Sequence, residues 1–178
     1  ALSVQLMALE AEFDANDLTK ADKLAVDILR KNPDAIEAYL YRAMIAMEHA
    51  KTDQKWLIQA REYFLAANKI DPEHPQALAG YYKTFPLAGE VAPENAIIAL
   101  ETAYTTAPFD PEIRRMLGHL LLIENKDAQA KAVISPLAYR PHANSDTRKL
   151  RDLLDGFDRG ERQPLVDELA PSLKDDRG

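Results

Sequence analysis

The chain has 178 residues, 47% of them hydrophobic, enough for a domain with its own core. Its formal charge is −7, from 29 acidic and 22 basic residues, which excludes nucleic acid as the expected partner because phosphate contacts need a basic surface. Cysteine is absent, so disulfides and thiolate metal sites are excluded, and the apolar runs are too short to insert in a bilayer.

Taken in order, Leu2, Leu6, Leu9 and Phe13 recur at helical spacing and predict a first amphipathic helix. Asn16 suits a left-handed turn and Asp17 an N-cap. A second helix then turns Leu18, Ala21, Ala25, Ile28 and Leu29 inward, and Asn32-Pro33 stops it. Asp34, with Glu37 three residues on, reads as a capping box for a third helix reaching about Ala50. After the polar break Lys51-Thr52-Asp53, a fourth helix is expected to start at Thr52 or Asp53 and to end at Ile70, before Asp71-Pro72.

The same grammar continues. Pro75 opens a helix carrying Ala77, Leu78, Tyr81, Tyr82 and Phe85, with Pro86 and Gly89 expected to close it. Pro93 starts the next, with Ala96, Leu100 and Ala103, and Pro108 ends it. Asp110-Pro111 is a cap followed by a first-position proline, and its helix reaches Ile123. A helix from Ala128 bears Ala130, Ile134 and Leu137; Pro136 should kink or shorten it, and Pro141 ends the pattern. Ser145 is expected to cap a helix over 146–155 that stops at Gly156, and a short helix begins at Pro164 within 163–173.

The closing prolines Pro33, Pro72, Pro108 and Pro141 are 39, 36 and 33 residues apart. A small residue recurs as Ala21, Ala60, Ala96 and Ala130, followed seven residues later by Ile28, Ala67, Ala103 and Leu137. The run Ala60-Arg-Glu-Tyr-Phe64-Leu-Ala-Ala67, closed by Pro72, resembles the second helix of a tetratricopeptide (TPR) repeat, a helix pair of about 34 residues. Leu117-Gly118 matches the Leu-Gly pair of that family's first helix, and Arg42-Ala43 and Tyr81-Tyr82 are weaker versions. About five extra residues separate the helices of the second unit, about two those of the third, and the first unit matches from Asn16 onward. The resemblance implies an all-α, right-handed TPR solenoid of about four helix pairs plus C-terminal capping helices. Its units are about 2–33, 34–72, 73–108 and 109–142, with a capping helix at 143–160 and a tail with a short helix at 161–178. An ordinary helical bundle is the rival architecture.

No catalytic constellation emerges. His49, His74, His119 and His142 have no second ligand at zinc-protease spacing, and there is no phosphate-binding glycine loop or nucleophile elbow. Glu10/Glu12 and Asp175/Asp176 read as solvated carboxylates, and Arg140-Pro141-His142 as a loop. A non-enzyme without cofactor or metal is expected.

By the resemblance, first helices line a concave groove. That places Glu37, Leu40, Tyr41, Met44 and Met47 there, then Gln76, Ala79, Gly80 and Lys83, then Glu112, Arg115, Met116, His119 and Leu122, with Leu6 and Met7 from the first unit. All 4 Met lie at such positions, where they suit either an adaptable apolar surface or gap filling between helices. Leu40, Tyr41 and Met44 stand where a carboxylate clamp would need polar groups, which argues against binding of chaperone tails. The expected function is a protein-interaction scaffold holding an apolar or amphipathic segment. The alternative is the non-catalytic TPR region of a larger enzyme, with a hydrolase-like domain before Ala1, an arrangement similar to bacterial proteins that carry such arrays C-terminally. The start at Ala1 without Met favours a fragment. A homo-oligomer through the array is a third reading, and the compartment stays open between cytoplasm and periplasm.

In the tail, Leu165, Val166 and Leu169 share one side of a short helix, with Asp167 and Glu168 on another. Such a helix is not stable alone. It is expected either to cap the last pair or to occupy a groove. In the groove, Tyr41, Met44 and Met47 would receive its leucines, and Lys83, Arg115 and His119 its acidic residues.

Overall fold

The computed structural model describes residues 1–142 and 144–173; Asp175 and Asp176 lie outside them. Among the described residues there are ten α-helices and no strand. They are α1 (Leu2–Asp14), α2 (Leu18–Lys31), α3 (Ile36–Ala50), α4 (Trp56–Ile70), α5 (Pro75–Leu87), α6 (Glu94–Thr106), α7 (Pro111–Ile123), α8 (Asp127–Ala138), α9 (Ser145–Asp158) and α10 (Gln163–Leu169). The chain forms two compact units: one comprises Ala1–Ala103 and the segment from Ser172, the other Tyr104–Pro171.

The helix ends repeat. After α1, α5, α7 and α9 a single residue takes positive φ: Asn16 (60°), Gly89 (71°), Asn125 (59°) and Gly160 (92°). At each, the next residue's N–H reaches back five residues in the pattern of a Schellman motif: Asp17 to Glu12, Glu90 to Phe85, Lys126 to Leu121, Glu161 to Gly156. Helices α2 and α4 instead end on an extended residue before proline, Asn32 (φ −135°) and Asp71 (φ −128°). Proline's ring excludes the helical conformation from the residue before it. The exception among α1, α3, α5, α7 and α9 is α3, where the extra residues lie. There Thr52 Oγ1 donates to the His49 carbonyl at 3.1 Å, and Asp53 Oδ1 accepts from Lys55 N–H at 3.1 Å.

These bonds explain a late start. The helix expected from Thr52 or Asp53 begins at Trp56, because both side chains are engaged in the turn. Asp34 does not cap α3, whose N-cap Ala35 makes no side-chain bond. Pro86 and Pro136 lie inside the last turns of α5 and α8 and do not end them. Helix α9 is capped by Asn144, in a reciprocal box with Thr147, and runs through Gly156 to Asp158. Its stop is Gly160. Other caps match expectation: Asp17 Oδ1 accepts from Lys20 N–H at 3.1 Å and Asp110 Oδ1 from Ile113 N–H at 3.0 Å.

Every recurring packing position is buried. Ala21, Ala60, Ala96, Ala130, Ala67 and Ala103 are 0% exposed, Ile28 1% and Leu137 6%. Small side chains there let helix backbones approach closely. At two points even a methyl group has no room. A Cβ on Gly80 would lie 2.3 Å from the Phe64 ring, and one on Gly118 would lie 2.5 Å from Ile134 Cγ1.

Arginines tie neighbouring helices together. In the first unit, Arg42 of α3 bonds Asp22 of α2 at 2.8 Å and lies over the Tyr63 ring of α4. Arg61 of α4 donates to Thr84 Oγ1 at 3.1 Å and lies 3.7 Å from the Phe85 ring centre on α5. In the second unit, Arg114 of α7 donates to the Val133 carbonyl of α8 at 2.8 Å, and Arg151 of α9 to the Ala138 carbonyl at 2.7 Å. A guanidinium flat on a ring keeps its fork of donors free for carbonyls, which lysine cannot imitate.

Candidate functional site

In the first unit the sequence-derived candidates lie on α1, α3 and α5. Leu6, Tyr41 and Met44 are half-buried against a cluster that includes Leu9, Phe13 and Ile28. Tyr41 meets Phe13 edge-on at 5.6 Å. Burial, then the nearby Glu10 and Asp14 carboxylates, push its hydroxyl above the usual phenol pKa. Leu40 and Lys83 are half-buried, whereas Met7 is 67% exposed. Met47 packs against a second cluster of Ala50, Leu57 and Leu87, and Leu173 of the tail packs into the same cluster. This is an apolar cluster where the ends of α3 and α5 meet the start of α4, and one tail leucine already packs on it. Ala79 is buried, and the space beside Gly80 belongs to Phe64, so neither offers open groove surface.

In the second unit three of the candidates are buried and Arg115 is half-buried. Met116 is 4% exposed, His119 9% and Leu122 0%. Helix α10 packs on α7 and α9. Leu165 and Leu169 are buried at 0% and 2%. Arg115 donates to the Glu168 carbonyl at 3.1 Å and approaches its carboxylate at 3.4 Å, while Lys149 of α9 lies 3.0 Å from the same carboxylate. At the other end Arg162 bonds the Leu122 carbonyl and the Asp127 carboxylate. Helix α10 therefore runs antiparallel to α7. By chain order it follows α9 as α2 follows α1 and α8 follows α7, yet it turns back onto α7. His119 Nδ1 is buried without a hydrogen-bond partner, and burial lowers the His119 pKa from its usual 6.5.

Of the expected tail contacts, Arg115 with Glu168 is present, and one tail leucine packs on the same cluster as Met47. The leucine is Leu173, outside α10. Sequence reasoning missed a cleft of about 360 Å³ in the first unit, between α2 and α4 above α3, lined by Asp22, Arg42, His49, Trp56 and Tyr63 among others. Trp56, 41% exposed at the start of α4 with its ring 4.6 Å from His49, was the available signal. Arg42 is already engaged there by Asp22 and Tyr63.

Among the described residues no group of three or more His, Asp or Glu could hold a metal ion. No described helix is long and apolar enough to cross a membrane. Compared with known proteins, the chain matches no family model and no curated protein.

Proposed function

We propose that the chain is a TPR-type array, its helix pairs stacked within each unit as a right-handed solenoid, and that it acts as a non-catalytic scaffold for a protein partner. The face of α1, α3 and α5 takes an apolar or amphipathic segment of that partner. The observation that carries the reading is the cluster of Ala50, Leu57 and Leu87, against which Met47 and, from outside any helix, Leu173 pack. Half-buried Leu40, Tyr41 and Met44 extend this apolar character along α3, and methionine adapts to ligands of differing shape. The buried repeat positions and the recurrent left-handed helix stops support the TPR plan.

A displayed library of random 12-residue peptides, panned on the full chain, tests this. The expected binders carry spaced apolar residues and lose at least about tenfold in affinity on Met44→Asp/Met47→Asp, a loss of about 1.4 kcal/mol or more. Binders indifferent to that pair, or no saturable binder, would contradict the reading.

A further inference from the structure

We infer that the α7–α9 face of the second unit is a binding site for an amphipathic helix with a carboxylate beside its apolar stripe, and that α10 is its intramolecular placeholder. The inference deepens the scaffold reading, naming a second face and the chemistry of its ligand.

The site is visible because it is occupied. Helix α10 presents two leucines four residues apart, both buried, and one glutamate between two cations, Arg115 and Lys149. The second leucine, Leu169, comes within 3.8 Å of where a Cβ on Gly118 would be, so the glycine surface of α7 helps to seat it. Its other acidic residue, Asp167, is exposed and accepts a bond from Gln163 at 2.7 Å, contributing nothing to the face. Recognition thus reads two apolar side chains and a carboxylate on one side of a helix.

Three features make α10 a replaceable occupant. It has seven residues, against 12 to 15 for every other described helix. It has no side-chain N-cap, and its geometry is maintained by docking, since a helix of that length does not persist alone in water. Segments held by few buried contacts belong to the part of a structure that opens first. Moreover, the face is imperfectly satisfied. His119 follows Arg115 by one turn on the same side of α7, and its buried Nδ1 has no partner. A ligand helix with a hydroxyl or amide at that level would fill this bond, which gives it an advantage over α10.

While α10 is docked, an external ligand meets a competitor at the millimolar effective concentration typical of short tethers, and its apparent affinity falls by the fraction of sites left open. The probe is a fluorescent synthetic peptide with the sequence of residues 161–171, which omits Leu173 and so reports on this face alone. It is titrated into the full chain, wild type and Leu169→Ala, by anisotropy. The expected result is saturable binding to Leu169→Ala at least tenfold tighter than to wild type. A peptide carrying Glu168→Lys should bind that variant at least tenfold more weakly than the native peptide, restored in part when the chain also carries Arg115→Glu. Equal binding to both chains, no binding to a Leu169→Ala chain of native helicity, or indifference to the Glu168 swap would overturn the inference. So would loss of the whole fold in Leu169→Ala, because α10 would then be core. These readings should be the same in a Met44→Asp/Met47→Asp chain, so failure of the first-unit proposal and failure of this one are distinguishable.

Discussion

The candidate residues on α1, α3 and α5 and those on α7 differ in cover. On the first, Met7 is 67% exposed and Leu40, Tyr41, Met44 and Met47 are half-buried. On the second, Met116 and His119 of α7 are 4% and 9% exposed, and α10 packs on α7 and α9. Methionine, an aromatic ring and cationic side chains occur on both, so composition does not set them apart. What differs is whether the chain supplies a helix to fill the face. A surface of this kind is therefore read by its occupant as much as by its own residues.

Both units depend on tight helix contacts. The largest expected effect is Phe64→Ala in the first unit. The ring is 6% exposed and fills the space beside Gly80, so its loss should cost about 3–5 kcal/mol in urea denaturation. Next comes Gly118→Ala in the second unit. A methyl 2.5 Å from Ile134 overpacks the α7–α8 contact at about 1–3 kcal/mol, against a helix-propensity gain of about 1 kcal/mol, so a net loss is expected. A stabilised Gly118→Ala chain would mean that α7 and α8 are farther apart than described.

Leu169→Ala should cost less than about 2 kcal/mol, below the range usual for a buried leucine, because α10 can let go before the rest of its unit unfolds. A larger loss, read from the same denaturation curves, would erase the distinction between covered and built-in.

The smallest effect is a pH dependence confined to the covered face. Burial holds the His119 pKa below 6.5, so the unfolded chain binds a proton that the folded chain does not. Stability from this group is complete above pH 6.5 and declines as pH falls from there to the lowered folded value. His119→Gln should flatten the denaturation midpoint between pH 7.5 and 5.5, and an unchanged slope would place the pH dependence elsewhere.

The repeat was legible because its signals are local. Asn16 and Asn125 tolerate positive φ, Asp17 and Asp110 reach backbone N–H groups three residues on, and Pro33 and Pro72 force extended residues before them. Boundaries failed where side chains had two local uses. Thr52 and Asp53 look like caps but bond within their own turn. Asn144 precedes Ser145 and takes the cap first, and Gly156 is overruled by Gly160, where positive φ is required. The candidate faces were legible only as positions. That α7 is covered by α10 depends on where a short helix docks. This is set by Arg115, Lys149 and Arg162 meeting partners 53, 19 and about 40 residues away in the chain, a distance over which periodicity carries no information.

Hydrogen exchange on the intact wild-type chain at neutral pH, resolved by mass spectrometry, tests most directly that the second face is covered by a replaceable helix. The account predicts that α10 amides exchange at least tenfold faster than those of α8 in the same unit, and that α7 keeps its protection while α10 opens. Protection of α10 equal to that of α8, lost together in one cooperative step, would contradict it.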